Sequence, residues 1–91
     1  MTTAEQLDQV FCNNFVAYYR SHVAHVNIMG RNFASDHKLL EGIYEDLQGQ
    51  IDTIAELLRT LEEFMPASLI DVMEDSHVPV DSIEGSSDRL I

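Results

Sequence analysis

The chain has 91 residues, of which five are basic and sixteen acidic, so its formal net charge is −11. This length suits one small domain. The charge argues against direct binding to nucleic acid, since such binding needs Lys and Arg to displace counterions from phosphates. No apolar run approaches the roughly twenty residues that span a bilayer, and the N-terminus has neither the cationic nor the apolar region of a signal peptide. We therefore expect a cytoplasmic protein that binds neither nucleic acid nor membrane.

The first predicted element is a long helix. Residues 4–28 contain neither Pro nor Gly, and Thr3 is a suitable N-cap. Apolar and aromatic side chains recur along one side at helical spacing, namely Leu7, Phe11, Tyr18 and His25, widened by Val10, Phe15 and Ala17. Cys12 is the only cysteine, which excludes a disulfide within one chain. We predict that it is a small buried apolar residue. Gly30 interrupts the pattern, so "GRNFAS" is predicted to be a corner.

A second and longer helix is predicted after this corner. Ser35 can cap it, with Asp36 in the first turn where a negative charge is favourable. Its apolar positions alternate in steps of four and three residues, which is typical of helices that pack against other helices. They are Leu40, Tyr44, Leu47, Ile51, Ile54, Leu58 and Leu61. We expect the helix to end near Phe64, ahead of Pro66.

The remainder of the chain has a weaker pattern. The stretch "SLIDVMED" predicts a short helix capped by Ser68, and residues 76–91 are predicted to be an extended or mobile tail. The predicted organisation is thus a helical hairpin over residues 1–65, followed by a short helix and tail over 66–91. The predicted fold is all-α. Because a lone hairpin leaves much of its apolar surface in water, we expect the chain to pair with a second copy or with another protein that supplies further helices.

Four side chains suited to metal binding lie on one strip of the second predicted helix: His37, Glu41, Asp52 and Glu56. At about 1.5 Å of rise per residue, His37 and Glu56 are roughly 28 Å apart, and Glu41 and Asp52 roughly 16 Å. One helix therefore cannot bring all four to a common metal, because ligand bonds are only about 2 Å long.

A two-fold axis removes this difficulty. The pair His37 and Glu56 and the pair Glu41 and Asp52 share one midpoint, between Asp46 and Leu47. Two antiparallel copies crossing there would place His37 opposite Glu56 and Glu41 opposite Asp52, with His25 near His37 because the chain turns at Gly30. The predicted ligands are His25, His37 and Glu41 of one subunit with Asp52 and Glu56 of the other. Such a set suits iron and, less selectively, manganese or zinc. The same spacing also fits an ordinary solvated helix face.

The stretch from His22 to Glu56 resembles the core signature of the Dps-type miniferritins, which belong to the ferritin-like superfamily. That signature reads approximately His-x-x-His-Trp-Asn-x-x-Gly-x-x-Phe-x-x-x-His-x-x-x-acidic, and eleven residues later Asp-x-x-Ala-Glu. The matching residues are His22, His25, Asn27, Gly30, Phe33, His37, Glu41, Asp52, Ala55 and Glu56. The resemblance covers roughly residues 7–75, which correspond to the N-terminal half of the family's chains.

The resemblance implies a ferritin-like four-helix bundle and a ferroxidase site shared across a two-fold interface. By position, the family's ligands correspond to His25, His37 and Glu41, then Asp52 and Glu56 of the second subunit. His22 corresponds to a histidine that is not usually a ligand, so it is assigned a supporting or packing role. The implied substrate is Fe(II), in a di-iron or mononuclear site that zinc or manganese can also occupy.

Three departures from the family pattern matter. Val26 replaces the tryptophan that follows the second histidine, the N-terminus lacks the lysines of DNA-binding members, and the third and fourth helices are missing. The implied function is Fe(II) oxidation by peroxide or dioxygen in a homodimer or a higher homo-oligomer. The alternative is a non-catalytic protein that associates with a full-length miniferritin and modulates it, and a third reading is a fragment whose ligands persist unused. The sequence does not decide between oxidants, between storage and oxidation alone, or whether a cage forms.

Overall fold

Two long helices and one short helix make up the computed structural model, which describes residues 1–30 and 33–81. Helix α1 spans Thr3–Asn27, α2 spans Phe33–Thr60 and α3 spans Leu69–Asp75. The helices α1 and α2 pack along each other as an antiparallel hairpin, and α3 packs on α1. The predicted all-α hairpin with a short third helix is therefore confirmed. Within the described ranges, none of the helices combines the length and apolar character needed to cross a membrane.

The start of α1 is defined by a capping box. The Thr2 hydroxyl accepts a hydrogen bond from the Glu5 backbone N–H, and the Glu5 carboxylate accepts one from the Thr2 backbone N–H, both at 3.1 Å. These two bonds lower the pKa of the Glu5 carboxyl. The N-cap is thus Thr2 and not the predicted Thr3. Thr3 also has a suitable residue, Gln6, three positions later, and in the structure it is Glu5 that forms the reciprocal pair with Thr2.

The bounds of α2 differ from prediction at both ends. The helix begins at Phe33, ahead of the predicted cap Ser35, and it ends at Thr60, four residues before Phe64. At its end Glu62 has φ 63°. Its N–H donates to Arg59 O, and the N–H of Glu63 donates to Leu58 O, each at 3.0 Å.

This pair of hydrogen bonds is a Schellman motif, in which the residue with positive φ is usually glycine. Glu62 occupies that position here, so the sequence has no glycine there from which the end of α2 could be predicted. The stop at Thr60 therefore comes from local backbone hydrogen bonding rather than from Pro66.

The apolar core is divided along the hairpin. The larger cluster joins all three helices, and its buried members are Phe11, Cys12, Val16, Ile54, Leu58 and Val72. A smaller cluster of Ala24, Ile28 and Leu40 lies next to the corner between α1 and α2. Cys12 is fully buried, as predicted. Two positions of the predicted stripes, Val10 and Leu61, are instead exposed, and Leu61 lies beyond the end of α2 at Thr60.

Between the two clusters the interface of α1 with α2 is polar and aromatic. Asn14 is buried, and its side-chain amide donates to the main-chain oxygen of Leu47 at 2.9 Å. Tyr18, His22 and Tyr44 follow towards the corner. A polar and aromatic segment of the interface thus separates the two apolar clusters. Three predicted ligands, His25, His37 and Glu41, lie next to the corner, whereas Asp52 and Glu56 lie further along α2, near Ile54 and Leu58 of the larger cluster.

Helix α3 begins as predicted, with Ser68 as its N-cap accepting from Asp71 N–H at 3.3 Å. It is fastened to α1 by two polar side chains. Gln9 donates to the main-chain oxygen of Asp75, and Asn13 accepts from His77 N–H at 2.7 Å. Residues 76–81 lie outside the helices. Residues 82–91 of the predicted tail lie outside the described residues.

Candidate metal centre

Three predicted ligands of one chain come together at the corner between α1 and α2. A ring nitrogen of His25, a ring nitrogen of His37 and a carboxylate oxygen of Glu41 all lie within 4.8 Å of one another. His25 is in the last turn of α1, and His37 and Glu41 are one turn apart near the start of α2. Gly30 makes this approach feasible, since its φ of 120° is a backbone conformation that residues with a Cβ rarely adopt.

The two imidazoles are held by reciprocal hydrogen bonds. His25 Nδ1 donates to the main-chain oxygen of His37 at 2.7 Å, and His37 Nδ1 donates to the main-chain oxygen of His25 at 2.6 Å. The rings stack with their centroids 3.7 Å apart. The His25 carbonyl belongs to the last turn of α1, where carbonyls have no partner within the helix. His37 therefore caps the end of α1 and orients His25 at the same time.

These hydrogen bonds determine which nitrogen of each ring is available. A carbonyl oxygen can only accept, so each Nδ1 must carry the proton. In a neutral imidazole the other nitrogen, Nε2, then has a free lone pair. An Nδ1–H fixed by a backbone carbonyl is the usual arrangement around a histidine that binds metal through Nε2.

The burial of the three groups is graded. His25 is 8% exposed, His37 is half-buried, and Glu41 is exposed. A cation bound here would be held by two neutral nitrogens and one anionic oxygen, with its remaining positions open on the side of Glu41. Imidazole together with carboxylate suits Fe(II), Mn(II) or Zn(II). Three ligands are one or more short of a complete coordination shell.

Asp52 and Glu56 do not join this group within one chain. Both lie exposed on α2, and Asp52 is about 16 Å further along the helix axis than Glu41. Their assignment as ligands therefore stays a prediction that requires a second subunit.

His22, predicted to have a supporting or packing role, lies beside the three ligands without being one of them. Its Nδ1 is hydrogen-bonded to the Tyr18 hydroxyl at 3.0 Å. Its ring stacks on Tyr44 with a centroid separation of 4.1 Å and an interplanar angle of 8°. Tyr44 in turn lies 5.0 Å from the His25 ring. The sequence analysis placed Tyr18 and Tyr44 in apolar stripes only; their spacing gave no signal that both would contact His22.

The structure contains a second group of possible metal-binding side chains that the sequence analysis did not predict. Ligand atoms of Asp8, Cys12 and Asp75 also lie within 4.8 Å of one another. Burial, followed by the charges of Asp8 and Asp75, raises the pKa of the Cys12 thiol to about 11. Since the thiolate and not the thiol binds metal, this group is a poorer candidate than the histidine pair. The spacing of four residues between Asp8 and Cys12 was the only sequence signal for it.

Comparison with known proteins gives consistent results for both sequence and fold. A family model described as the ferritin-like domain matches residues 4–88. Among curated proteins, the chain is 32% identical over 82 residues to the DNA protection during starvation protein of Brevibacillus brevis. That alignment covers 85% of this chain and 55% of the relative.

Solved structures include similar chains. The Dps protein of Vibrio cholerae O1, described as a member of the ferritin-like diiron-carboxylate superfamily, superposes with a TM-score of 0.86 at 28% identity, covering 93% of this chain and 54% of that one. Dps of Listeria innocua soaked with zinc gives a TM-score of 0.85 at 25% identity, covering 98% and 60%. The chain thus spans little more than half the length of the relatives that it matches.

Proposed function

Because this chain belongs to the family of ferritin-like domains, we propose that it binds Fe(II) and oxidises it at a site shared between two copies of the chain. Each subunit contributes His25, His37 and Glu41, and its mate contributes Asp52 and Glu56. The site is of the Dps type, and hydrogen peroxide or dioxygen is the electron acceptor.

The observation that carries this proposal is the reciprocal hydrogen bonding of His25 and His37. On an ordinary solvated helix face, nothing would require both imidazole rings to be fixed by hydrogen bonds. Here both Nδ1 atoms are committed to backbone carbonyls, which leaves both Nε2 lone pairs for a cation beside the Glu41 carboxylate. This arrangement favours metal binding over the solvated-face interpretation.

The rest of the ligand set is supplied by symmetry. Asp52 and Glu56 are exposed, and they lie on the same strip of α2 as His37 and Glu41 at 100° per residue. Antiparallel pairing of two α2 helices about the midpoint between Asp46 and Leu47 brings them to the partner's histidines. Two carboxylates added to Glu41 make the site anionic enough to hold the ferric product.

The roles of the residues follow from their chemistry. The imidazoles set the geometry around Fe(II), which is the substrate. The carboxylates balance the extra positive charge that iron gains when it gives an electron to peroxide or dioxygen. None of the five residues acts as a nucleophile or needs to change its covalent structure.

The direct test is an Fe(II) oxidation assay. The protein is loaded anaerobically with Fe(II), peroxide or air is added, and near-ultraviolet absorbance is followed together with the mass from light scattering. We expect rapid stoichiometric oxidation by a dimer, abolished in His37→Ala and in Asp52→Ala. Asp46→Ala is the matched control, because Asp46 is an exposed acidic residue on another side of α2. Oxidation no faster than in buffer would contradict the proposal.

A subunit-mixing experiment tests the shared site specifically. His37→Ala chains and Asp52→Ala chains are each expected to be inactive. A mixed dimer, however, contains one site with both residues intact, since His37 of one chain meets Asp52 of the other. Random reassortment of the two variants should restore about a quarter of the native sites. If the mixture stays as inactive as its components, the site is not shared in this way.

Exposed apolar residues along α2 and just after its end favour a second candidate function. Leu39, Ile43, Leu57 and Leu61 are all more than two-fifths exposed, and at 100° per residue they form a stripe turned away from the acidic strip. Such a stripe fits helices supplied by another protein. In this alternative the chain is a non-catalytic partner that inserts into a full-length miniferritin. Capture of such a partner, without faster iron oxidation, would favour it.

A further inference from the structure

Two carboxylates and one thiol meet where α3 packs on α1. Asp8 and Cys12 lie one turn apart on α1, and Asp75 is the last residue of α3. Their ligand atoms, two carboxylate oxygens and Cys12 Sγ, all lie within 4.8 Å of one another. Cys12 precedes His25 by thirteen residues on α1, about 20 Å along the helix axis. This junction group of Asp8, Cys12 and Asp75 is therefore separate from the histidine corner.

The Cys12 sulfur is buried, faces the two carboxylates and has no partner of its own. Its side chain is 0% exposed, and within residues 1–30 and 33–81 the sulfur makes neither a disulfide nor a hydrogen bond. Apolar residues of the larger cluster surround it on the other sides. An ordinary core cysteine needs only apolar neighbours, whereas this one is also directed at two anionic groups that attract a cation.

The two aspartates lie together without a positive partner. Burial, followed by the charges of Asp75 and Glu63, raises the pKa of the Asp8 carboxyl. The carbonyls at the C-terminal end of α3 add further partial negative charge beside Asp75. Among the described residues no Lys or Arg forms an ion pair with either aspartate, and the Arg20 guanidinium is paired with Asp81 instead. The junction thus has negative charge that a cation would balance.

The position of Asp75 is fixed by the polar side chains on either side of Cys12. Gln9 donates to the Asp75 main-chain oxygen, and Asn13 accepts from the His77 N–H at 2.7 Å. The Gln9 and Asn13 side chains are also joined to each other by a hydrogen bond at 3.1 Å. Because these bonds hold the end of α3 against α1, the Asp75 carboxylate is already beside the sulfur before any ion arrives.

We propose that Asp8, Cys12 and Asp75 form a second cation site, which takes one Zn(II) or a similar divalent ion that binds sulfur. The sulfur binds as the thiolate, each aspartate binds through one oxygen, and water on the exposed side of Asp75 completes a tetrahedron. Donor atoms around such an ion are about 3.5 Å apart, so separations of up to 4.8 Å need only small side-chain adjustments. The thiolate favours Zn(II) over Mg(II), Ca(II) and Mn(II).

Binding at the junction exchanges a proton for the metal ion and involves no oxidation. The Cys12 thiol loses its proton to solvent, and the sulfur–metal bond replaces the S–H bond. Because burial and neighbouring charge raise the pKa of this thiol, displacing its proton weakens the apparent affinity. Zn(II) therefore fills the histidine corner first and the junction second. The junction site does not depend on the iron chemistry proposed above.

An ion at the junction fastens the short helix to the hairpin. Helix α3 has seven residues and one buried side chain, Val72, so few apolar contacts hold it in place. Coordination bonds from Asp75 to an ion that is also bound by Asp8 and Cys12 add a direct link between α3 and α1. The expected role of the site is thus structural.

The test uses a sulfur-to-metal charge-transfer band in the ultraviolet. Cys12 is the only cysteine, so this band reports on the junction alone, whatever binds at the histidine corner. Cd(II) is titrated anaerobically into the whole chain in buffer without thiols. We expect the band in the native protein and its loss in Cys12→Ala. Cd(II) should bind Asp8→Asn and Asp75→Asn weaker by about tenfold or more, since even the loss of groups that only orient a ligand costs that much.

Two controls and a second measurement accompany this titration. Glu74→Gln, which changes an exposed acidic residue next to Asp75, should bind Cd(II) as the native chain does. The band should also persist in His37→Ala, so failure of the ferroxidase proposal and failure of this one are distinguishable. Excess Zn(II) should displace Cd(II), and it should slow hydrogen exchange of the Val72 and Ser76 amides, which are bonded within α3, in the native chain but not in Cys12→Ala.

The inference fails if a large excess of Cd(II) produces no band in the folded native chain. It also fails if the band appears with equal affinity in Asp8→Asn and Asp75→Asn, since the sulfur would then bind without the carboxylates. Circular dichroism of each variant distinguishes loss of a ligand from loss of the fold.

Discussion

At the residue scale, the function of an ionisable side chain in this protein follows from what surrounds it. His25 and His37 have backbone carbonyls at Nδ1, which leaves the Nε2 lone pair of each neutral ring free for a metal ion. Cys12 has apolar neighbours and two carboxylates, which keep it protonated. A neighbouring hydrogen-bond acceptor thus fixes the tautomer of the two histidines at the C-terminal end of α1, whereas burial and neighbouring charge keep the Cys12 thiol protonated nearer the middle of the same helix.

The Cys12 thiol is expected to react slowly in the folded protein. Its pKa is raised to about 11, so its thiolate fraction at pH 8 should be lower than that of an unfolded cysteine by about two orders of magnitude. The measurement is labelling by a chromogenic disulfide reagent in buffer and in denaturant. Equal labelling rates in buffer and in denaturant would show that Cys12 is not buried and that its thiol pKa is not raised.

The same pKa shift makes stability depend on pH in a defined direction. A thiol whose pKa is raised on folding stabilises the folded state fully at pH values below the unfolded pKa, near 9. This stabilisation is lost as the pH rises towards about 11. Urea midpoints should therefore fall between these values in the native chain and fall less in Cys12→Ala, which has no thiol to ionise.

At the element scale, helix ends and buried polar contacts account for the differences between prediction and structure. Periodicity located both long helices, because an apolar stripe at 3.6 residues per turn is a property of many residues together. The end of α2 was wrong by four residues, since it depends on two hydrogen bonds around Glu62, a residue type that favours no helix stop. The predicted N-cap of α1 was wrong by one residue for a similar reason, as Thr2 and Thr3 are equally good capping residue types.

Replacing Glu62 by glycine should stabilise the chain. Glu62 has φ 63°, a conformation that costs a residue with a Cβ about 1 kcal/mol relative to glycine. We expect Glu62→Gly to raise the free energy of unfolding by up to that amount, measured by urea denaturation. Glu63→Gly is the control, because the positive φ is at position 62. A loss of stability in Glu62→Gly would mean that the Schellman motif is not formed.

Removing the Asn14 amide should destabilise the hairpin. Asn14 is buried and donates across the interface to Leu47 O, and it lies between Cys12 and Val16 of the larger apolar cluster. A buried hydrogen bond of this kind contributes about 1 kcal/mol, so Asn14→Ala should lower the unfolding free energy by that amount or more. Asn13 instead accepts a hydrogen bond from His77, in the segment after α3, so Asn13→Ala should lower the unfolding free energy by less. Equal losses of unfolding free energy in the two variants would contradict a specific role for the Asn14 contact.

At the scale of the whole molecule, the described helices leave apolar surface uncovered. An open groove of about 610 Å³ runs between α1 and α3, lined mainly by apolar side chains. The apolar side chains of Leu39, Ile43, Leu57 and Leu61 are exposed along α2 and just after its end. The sequence analysis expected uncovered apolar surface, because a lone helical hairpin leaves much of it in water. Sequence reasoning proposed five ligands, of which the described chain brings three together. The assignment of Asp52 and Glu56 stays a prediction, since it depends on a second subunit.

Pairing of two such acidic chains should depend on cations. Each chain carries a formal charge of −11, and the proposed interface brings Asp52 and Glu56 towards Glu41 of the partner. Without a cation these carboxylates repel one another. We expect Zn(II), as a redox-inert substitute for Fe(II), to shift the chain towards dimer in analytical ultracentrifugation, and a chelator in low salt to shift it towards monomer.

A neutralised variant provides the control for this prediction. In Asp52→Asn with Glu56→Gln the repulsion is relieved and two ligands are lost, so the dimer should form without Zn(II) and respond to it less. A monomer–dimer equilibrium that is the same with metal, with chelator and in the neutralised variant would place the interface elsewhere.

The crossed histidine bonds also have a consequence for the speed of capture. The hydrogen bonds already fix the orientation of both rings at the corner, so on the proposed function little conformational entropy would remain to be lost when a cation binds. Uptake from the empty state should accordingly be limited by diffusion and dehydration of the ion rather than by refolding, in contrast to domains that fold only around their metal. A receptor formed in advance can also release its product without unfolding, which is what repeated turnover requires.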